Sequence, residues 1–153
     1  MSDRHGTSKA DRTFRAKLMR GVFELKGLPL FEGMSAEQLL PVADAAKRVA
    51  VGASAVLFRQ GDEGRDLYIL LKGEAVAVRA GVEISHYGPG DLVGELAFLE
   101  ESRHPVSVLL RSEAELIHFA RDDFRELCDL FPALAQNVIR VLSRRLRDGL
   151  KSR

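Results

Sequence analysis

The stretch that decides the fold is residues 92–99, Leu-Val-Gly-Glu-Leu-Ala-Phe-Leu, an apolar segment with Gly94 and Glu95 near its start. Before it, the chain carries short β-rich runs separated by glycine turns: VAV, AVLF, LYILL, AVAV and ISHY. Two more such runs follow it, over residues 106–110 and 114–119. Short, regularly spaced strands with glycine turns favour a sandwich, roll or barrel over alternating strand–helix units. Residues 92–99 therefore interrupt a β-rich fold as a special element.

Helical patterns precede the β-rich region. Phe14, Leu18 and Val22 recur at helical spacing, which predicts a short amphipathic helix. Ser35 followed by Gln38 is a capping box, the usual start of a helix, and predicts a second one. Residues 1–12 show no apolar periodicity, and we expect a disordered tail there.

Two helices are predicted after the last strand, over about residues 121–151. The second starts near Pro132, where proline is tolerated, and an apolar stripe runs along it: Ala135, Val138, Leu142, Leu146 and Leu150. The stripe predicts that this helix either docks on the β-rich part or pairs with its copy in a second subunit, and the sequence favours neither. The arginines of this helix fall off the stripe, so we expect solvated charges there: Arg140, Arg144, Arg145 and Arg147.

Composition indicates one globular domain. The chain has 153 residues, 46% hydrophobic and 29% charged, without low-complexity blocks. No apolar run reaches the ~20 residues of a membrane span, and the polar N-terminus is unlike a signal peptide. Because the single cysteine, Cys128, has no partner in the chain, we expect a cytoplasmic protein. We expect one domain over residues 13–153, with its β-rich part at about 48–120.

No motif indicates an enzyme. The sequence has no nucleophile elbow, no kinase signature and no pair of histidines at metal-ligand spacing. We therefore expect a protein without catalytic machinery, metal or cofactor.

Five motifs resemble, in order and at family spacing, those of the cyclic-nucleotide-binding domain family. They are LKGLPLF (25–31), FRQGD (58–62), LYILLKG (67–73), GPGD (88–91) and GELAFL (94–99). This family supplies the sensor module of catabolite-activator-type regulators, cyclic-nucleotide-dependent kinases and gated channels. The resemblance covers about residues 25–150 and implies an α+β fold: an antiparallel β-roll (double-stranded β-helix or jelly roll) with N-terminal helices and two C-terminal helices.

The resemblance makes residues 94–99 the phosphate-binding cassette and cAMP or cGMP the ligand. A small-residue turn that opens a short helix directs backbone N–H groups at an anion. Gly94 would permit close approach, and Leu96 and Ala97 would donate their amides to the cyclic phosphate. The carboxylate of Glu95 would accept a hydrogen bond from the ribose hydroxyl.

One position departs from the family pattern. Members that bind cyclic nucleotides resemble one another in placing an arginine against the phosphate. When Ser107 is aligned with the family's Thr/Ser-Val pair, His104 stands at the arginine position and Pro105 follows it. Histidine is only partly charged at neutral pH, and proline lacks a backbone donor. Arg103 would replace the missing charge if the preceding loop were bulged by one residue. The predicted ligand-binding set is Gly94, Glu95, Leu96, Ala97, Arg103, His104 and Ser107.

The sequence thus predicts a non-catalytic cyclic-nucleotide sensor, in which the last helix closes over the ligand and signals to a protein partner. The alternative is a degenerate domain that binds no cyclic nucleotide and acts in dimerisation or protein interaction. Transcription regulation is disfavoured, because the chain ends at Arg153, where family regulators begin a helix-turn-helix domain.

Overall fold

The computed structural model describes residues 8–151 of the chain, and side chains up to residue 150. Within these residues there are five α-helices, one 3-10 turn and eight β-strands. In chain order they are α1 (Lys9–Lys26), the 3-10 turn (Pro29–Phe31), α2 (Ala36–Ala45), β1 (Lys47–Val51), β2 (Val56–Phe58), β3 (Asp66–Lys72), β4 (Ala75–Arg79), β5 (Val82–Tyr87), β6 (Leu92–Val93), α3 (Glu95–Glu100), β7 (Ser107–Leu110), β8 (Ala114–Ala120), α4 (Arg121–Leu130) and α5 (Pro132–Lys151).

The strands form two four-stranded antiparallel sheets. One has the order β1-β8-β3-β6 and the other β2-β7-β4-β5. Apart from the β4–β5 hairpin, neighbours in each sheet are distant in sequence, so the chain passes back and forth between the sheets. This is the β-roll that the sequence predicted, and the α+β fold class with flanking helices is confirmed. The break between β6 and β7 holds α3, the interruption recognised at residues 92–99.

The roll is filled by apolar side chains from both sheets. Its core includes Phe58 of β2, Leu70 of β3, Ala77 of β4, Val108 of β7 and Leu116 of β8. β8 is buried on both faces: Ala114 and Leu116 face the core of the roll, and on the opposite face Ile117 and Phe119 pack against the helices. Burial of both faces holds the register of β8 between β1 and β3.

A second core joins the helices to the outside of the first sheet. Leu25 of α1, Leu39 of α2, Phe119 of β8, Phe124 of α4 and Leu134 of α5 are all buried in it. Helices from the beginning and the end of the described chain thus pack into one layer on one side of the roll.

The helix α2 begins as the capping box predicts. The Ser35 hydroxyl accepts from the Gln38 N–H, and the Gln38 side chain accepts from the Ser35 N–H. The helix continues through Pro41 to Ala45.

The predicted tail over residues 1–12 needs correction in its last part. Residues 1–7 lie outside the described residues, but α1 already begins at Lys9. Ser8 and Asp11 form a reciprocal capping box, in which the Ser8 hydroxyl accepts from the Asp11 N–H at 3.1 Å. Such a cap satisfies backbone donors without any apolar residue, so hydrophobic periodicity alone did not reveal the start of this helix.

Within the described residues, no helix combines the length and hydropathy needed to cross a membrane.

Candidate functional site

The turn into α3 requires a glycine. Gly94 caps the helix with φ of 93°, in the left-handed region that side chains disfavour. A Cβ atom there would lie 2.8 Å from the carbonyl oxygen of Asp66. The N–H groups of Leu96 and Ala97, in the first turn of α3, have no acceptor one turn back within the helix. The first turn of α3 is therefore held close to β3, and the N–H groups of Leu96 and Ala97 remain available there as donors.

Glu95 is a buried carboxylate at this helix start. It is 6% exposed. Burial raises its pKa above the ordinary value, although its own N–H group, the charge of Arg145 and the N–H of Gly94 all act to lower it. An acceptor held in this way is suited to a hydroxyl donor that enters the site.

Arg145 of α5 lies on the side of Glu95 that faces α5. Its guanidinium carbon lies 4.1 Å from the centre of the Tyr87 ring. It donates to the Ser85 hydroxyl and, at 2.9 Å, to the carbonyl oxygen of His86. The Asp91 carboxylate accepts from it at 3.5 Å. These contacts attach the C-terminal half of α5 to the roll.

Tyr87 lies under this arginine. Its ring is 6% exposed, and burial raises the pKa of its hydroxyl, with the negative charge of Glu95 acting in the same direction. Tyr87 therefore stays uncharged at physiological pH.

His104 is buried against the cassette, the segment Gly94–Leu99. It is 2% exposed, and its ring stacks on Phe58 with 3.7 Å between the centroids. Its Cε1 atom lies 3.6 Å from the position of a Cβ on Gly94. Among the described residues, Nε2 of His104 is buried without a hydrogen-bond partner. Burial lowers the pKa of His104, while the charges of Asp66 and Asp62 act to raise it.

Two predicted site residues are not brought to this group. Arg103 is exposed, and its guanidinium donates to the carbonyl oxygen of Gly61 at 2.9 Å. Residue 103 also forms a bridge with Glu63, which fixes its strand direction. The Ser107 hydroxyl accepts from the Gln60 N–H at 2.9 Å. Arg103 therefore does not replace the missing arginine of the cassette in this conformation, because its guanidinium binds the carbonyl oxygen of Gly61 instead.

The remaining predicted residues share one small pocket. Gly94, Glu95, Leu96, Ala97 and His104 line it, together with Phe58, Tyr87, Pro105 and Val106. Its cavity volume is about 10 Å³, room for about one water molecule.

A much larger cleft adjoins this pocket. With a volume of about 960 Å³, it lies between the cassette, the turn at residues 88–91 and α5. Glu95, Leu96 and Arg145 line it. Glu95 and Leu96 line both spaces, so the start of α3 separates the small pocket from the cleft.

The far end of α3 is attached to α4. Arg125 donates to the carbonyl oxygen of Phe98 at 2.8 Å, and its guanidinium lies 5.0 Å from the Phe98 ring centre. It also pairs with Glu101 at 2.8 Å. These contacts join α3 directly to α4.

Sequence reasoning missed Arg145, which was expected to face solvent. The structure shows it half-buried over Tyr87. A signal was present: Arg145 follows Leu134, Val138 and Val141 at intervals of four, three and four residues, so it continues the buried face of α5. Beyond Leu142 the predicted stripe does not dock on the roll, since Leu146 is 69% exposed and Leu150 is 66% exposed.

In the part of the chain that the structure describes, no group of three or more His, Cys, Asp or Glu residues is placed to hold a metal ion.

Comparison with known proteins agrees with this arrangement. A family model described as the cyclic nucleotide-binding domain matches residues 48–130. The cyclic AMP receptor protein of Thermus thermophilus is 32% identical over 130 residues, which are 82% of this chain and 60% of that protein. The chain therefore belongs to the cyclic nucleotide-binding domain family.

Two solved structures extend the comparison. The regulatory domain of Toxoplasma gondii PKA with cAMP matches with a TM-score of 0.73 at 25% identity, covering 90% of this chain and 52% of that one. The regulatory subunit of a cAMP-independent protein kinase A from Trypanosoma brucei matches with a TM-score of 0.74 at 25% identity, covering 90% of this chain and 48% of that one. The chain thus spans between about half and three fifths of the length of these relatives.

Proposed function

We propose that this chain is a non-catalytic sensor module that binds a cyclic nucleotide, cAMP or cGMP, between α3 and the β-roll. The observation that carries the proposal is Glu95, a carboxylate 6% exposed at the start of a helix that a left-handed glycine holds against β3. Burial of a charge is unfavourable unless it is paired. The raised pKa of Glu95 indicates that its present partners compensate only in part. A ribose hydroxyl that enters the site would donate a hydrogen bond to this carboxylate.

The phosphate would lie at the first turn of α3. The amides of Leu96 and Ala97 are oriented there as donors, and the helix dipole favours an anion. His104, across the small pocket, takes the position that arginine has in the family pattern.

Ligand binding requires the site to open. A cavity of about 10 Å³ does not admit a nucleotide, and Arg145 lies over Tyr87 at the mouth of the site. We assign α5 and the cassette as the elements that move. A ligand that binds the opened state better would shift the domain toward it, which is the physical basis of a sensor.

The names of the relatives support this ligand class. One is a cyclic AMP receptor protein, and another was solved with cAMP.

The test is thermal unfolding of the purified chain with and without millimolar cAMP or cGMP. Ligand at about 100 times its dissociation constant adds about 2.7 kcal/mol to the free energy of unfolding, a shift of several degrees for a domain of this size. Glu95→Ala should abolish the shift, and Glu100→Ala, which changes an exposed carboxylate of the same helix, should preserve it. The proposal fails if neither nucleotide shifts the wild-type midpoint, or if the shift survives in Glu95→Ala.

A second candidate is a degenerate domain that acts as a dimerisation or protein-interaction module. It is favoured by the exposed apolar residues of α5, Ile139, Leu146 and Leu150, which are 59%, 69% and 66% exposed. A homodimer through this helix would cover them. Light scattering at several concentrations distinguishes the candidates: a dimer that Leu146→Glu dissociates, in a chain that binds no nucleotide, would establish the interaction module.

A further inference from the structure

We infer that His104 donates its Nε2–H to the phosphate of the bound nucleotide, and that binding is coupled to the uptake of one proton by this imidazole. The inference rests on the proposed function and adds a regulation to it: the affinity for the anionic ligand rises as the pH falls. A fixed guanidinium at the same position would give no such coupling, because arginine keeps its charge at all physiological pH values.

The geometry holds the imidazole in place for this role. The ring is 2% exposed, stacks on Phe58 at 3.7 Å, and lies beside Gly94 at the start of the cassette. The backbone on either side is fixed as well. The His104 N–H donates to the carbonyl oxygen of Asp62, and its own carbonyl accepts from the Gly61 N–H, both at 2.8 Å.

One ring atom is left for a ligand. Nε2 is buried and has no partner among the described residues, and the small pocket that His104 lines also holds the first turn of α3. An unpaired buried donor or acceptor is costly. An anionic oxygen in this pocket would accept hydrogen bonds from both the imidazole and the helix amides.

The charges around His104 allow the imidazole to change its protonation state. Asp66 of β3 and Asp62 of the β2–β3 loop favour the charged form, but burial outweighs them and lowers the pKa. Asp66 is itself engaged with His118 of β8, at 2.6 Å. Arg103, which precedes His104 in the chain, donates its guanidinium N–H to the carbonyl oxygen of Gly61.

The other charged and titratable groups of the pocket lie on α3 and β5. Glu95 and Tyr87 line the pocket with His104, and Arg145 of α5 acts on the charge of Glu95. Because burial holds the pKa of His104 below its usual value, the imidazole is neutral near pH 7 without ligand.

Bound phosphate reverses this balance. A negative charge within hydrogen-bond distance raises the pKa of an imidazole. Between the pKa values of the free and the bound state, binding takes up a proton, and the dissociation constant rises by up to about tenfold for each unit of increasing pH. Below the free-state pKa and above the bound-state pKa the dependence levels off.

The test is isothermal titration calorimetry of the whole chain with cAMP and cGMP between pH 5.5 and 8.5. Each pH is measured in two buffers with different ionisation enthalpies, which reveals the number of protons taken up. We expect weaker binding at higher pH and an uptake that approaches one proton. Adenosine, which has the base and ribose of cAMP but no phosphate, should bind without proton uptake.

Three variants separate His104 from other titrating groups. His104→Arg should bind cyclic nucleotide at least tenfold more tightly at pH 8 and without proton uptake. His104→Gln should bind cyclic nucleotide weakly, and its affinity should lack the pH dependence that an imidazole gives. His86→Gln, a change in an exposed histidine, should keep the full pH dependence of the wild type. Any contribution of Glu95 is common to all of them.

The outcomes separate the proton coupling from the sensor function. Equal affinity at every pH, or a pH dependence that persists in His104→Gln or appears equally with adenosine, would overturn the coupling and leave the sensor function standing. Binding by His104→Arg but not by the wild type would overturn the coupling together with the function of the natural chain. Failure of both to bind would mean that the site is not a cyclic-nucleotide site at all.

Discussion

The guanidinium of Arg145 lies on the face of the Tyr87 ring, 4.1 Å from its centre, and joins the end of α5 to the last residue of β5. An arginine over an aromatic face is stabilised by the ring quadrupole. Here the same side chain also donates to Ser85 and His86. Arg145 thus holds α5 over the mouth of the site in the closed conformation described above.

Arg145→Ala should release this half of α5. Loss of the aromatic contact and of the hydrogen bonds to the roll should lower the free energy of unfolding by about 1–2 kcal/mol. Amide hydrogen exchange of residues 142–150 should accelerate more than that of the strands, because few other buried contacts hold this segment. Arg147→Ala removes the same side chain from an exposed position of the same helix and should change neither measurement. Equal exchange rates in Arg145→Ala and the wild type would show that other contacts hold the helix.

Glu95→Gln should stabilise the ligand-free domain at neutral pH. Since the pKa of Glu95 is raised above 4.5 in the folded state, the folded chain binds more protons than the unfolded chain between pH 4.5 and the folded pKa, and stability falls as the pH rises through this window. A glutamine does not titrate. The midpoint of thermal unfolding of the variant, relative to wild type, should therefore be higher at pH 7.5 than at pH 4. If the difference between the two proteins is the same at both pH values, Glu95 does not carry this dependence.

Gly64→Ala should displace the cassette. A Cβ atom at this buried glycine would lie 2.4 Å from the Cβ of Ala97 and 2.4 Å from the carbonyl oxygen of Ser102, so one element must move. Overpacking of this kind costs about 1–3 kcal/mol, measurable by urea denaturation. Gly52→Ala is the matched control, since a Cβ there meets nothing within 4 Å, and it should stay within about 0.5 kcal/mol of wild type. Similar stabilities for the two variants would contradict the close approach.

Asn137→Ala should weaken the attachment of α5 to the N-terminal elements. The buried amide of Asn137 donates to the carbonyl oxygen of Glu32 at 2.8 Å, and its oxygen accepts from Arg140. Removing it leaves a backbone acceptor without its donor and should cost about 1–3 kcal/mol in urea denaturation. Gln136→Ala, at an exposed neighbouring position, should leave the stability near that of wild type. A loss of equal size in Gln136→Ala would point to helix propensity instead.

Local signals in the sequence, which agree with one another, were sufficient for the helices and strands, and the resemblance of the motifs to a known family was needed to choose a β-roll over a sandwich or barrel. Glycine turns bound the strands, and the Ser35–Gln38 capping box marks the start of α2. The sequence was also sufficient to place Glu95 and His104 near one another, since both lie in or beside the motif that interrupts the sheet.

The side-chain geometry of the site was beyond the sequence. The orientation of Arg103 depends on the bridge between residues 63 and 103, a long-range pairing without a local pattern. The position of Arg145 depends on how far α5 extends over the roll, whereas the predicted apolar stripe leaves Arg145 on the charged side of the helix. The stacking of His104 on Phe58 joins β2 to the segment before β7, which periodicity does not reveal.

The hydrogen bond between Asn137 and Glu32 has a consequence for how the domain transmits a change. It connects α5, which lines the cleft beside Glu95, to the segment that follows the Pro29–Phe31 turn. A displacement of α5 therefore alters two regions about 105 positions apart in the chain. Binding at the cassette would be sensed simultaneously at the amino-terminal and carboxy-terminal sides of the roll, so a partner that contacts either side would respond to the same event.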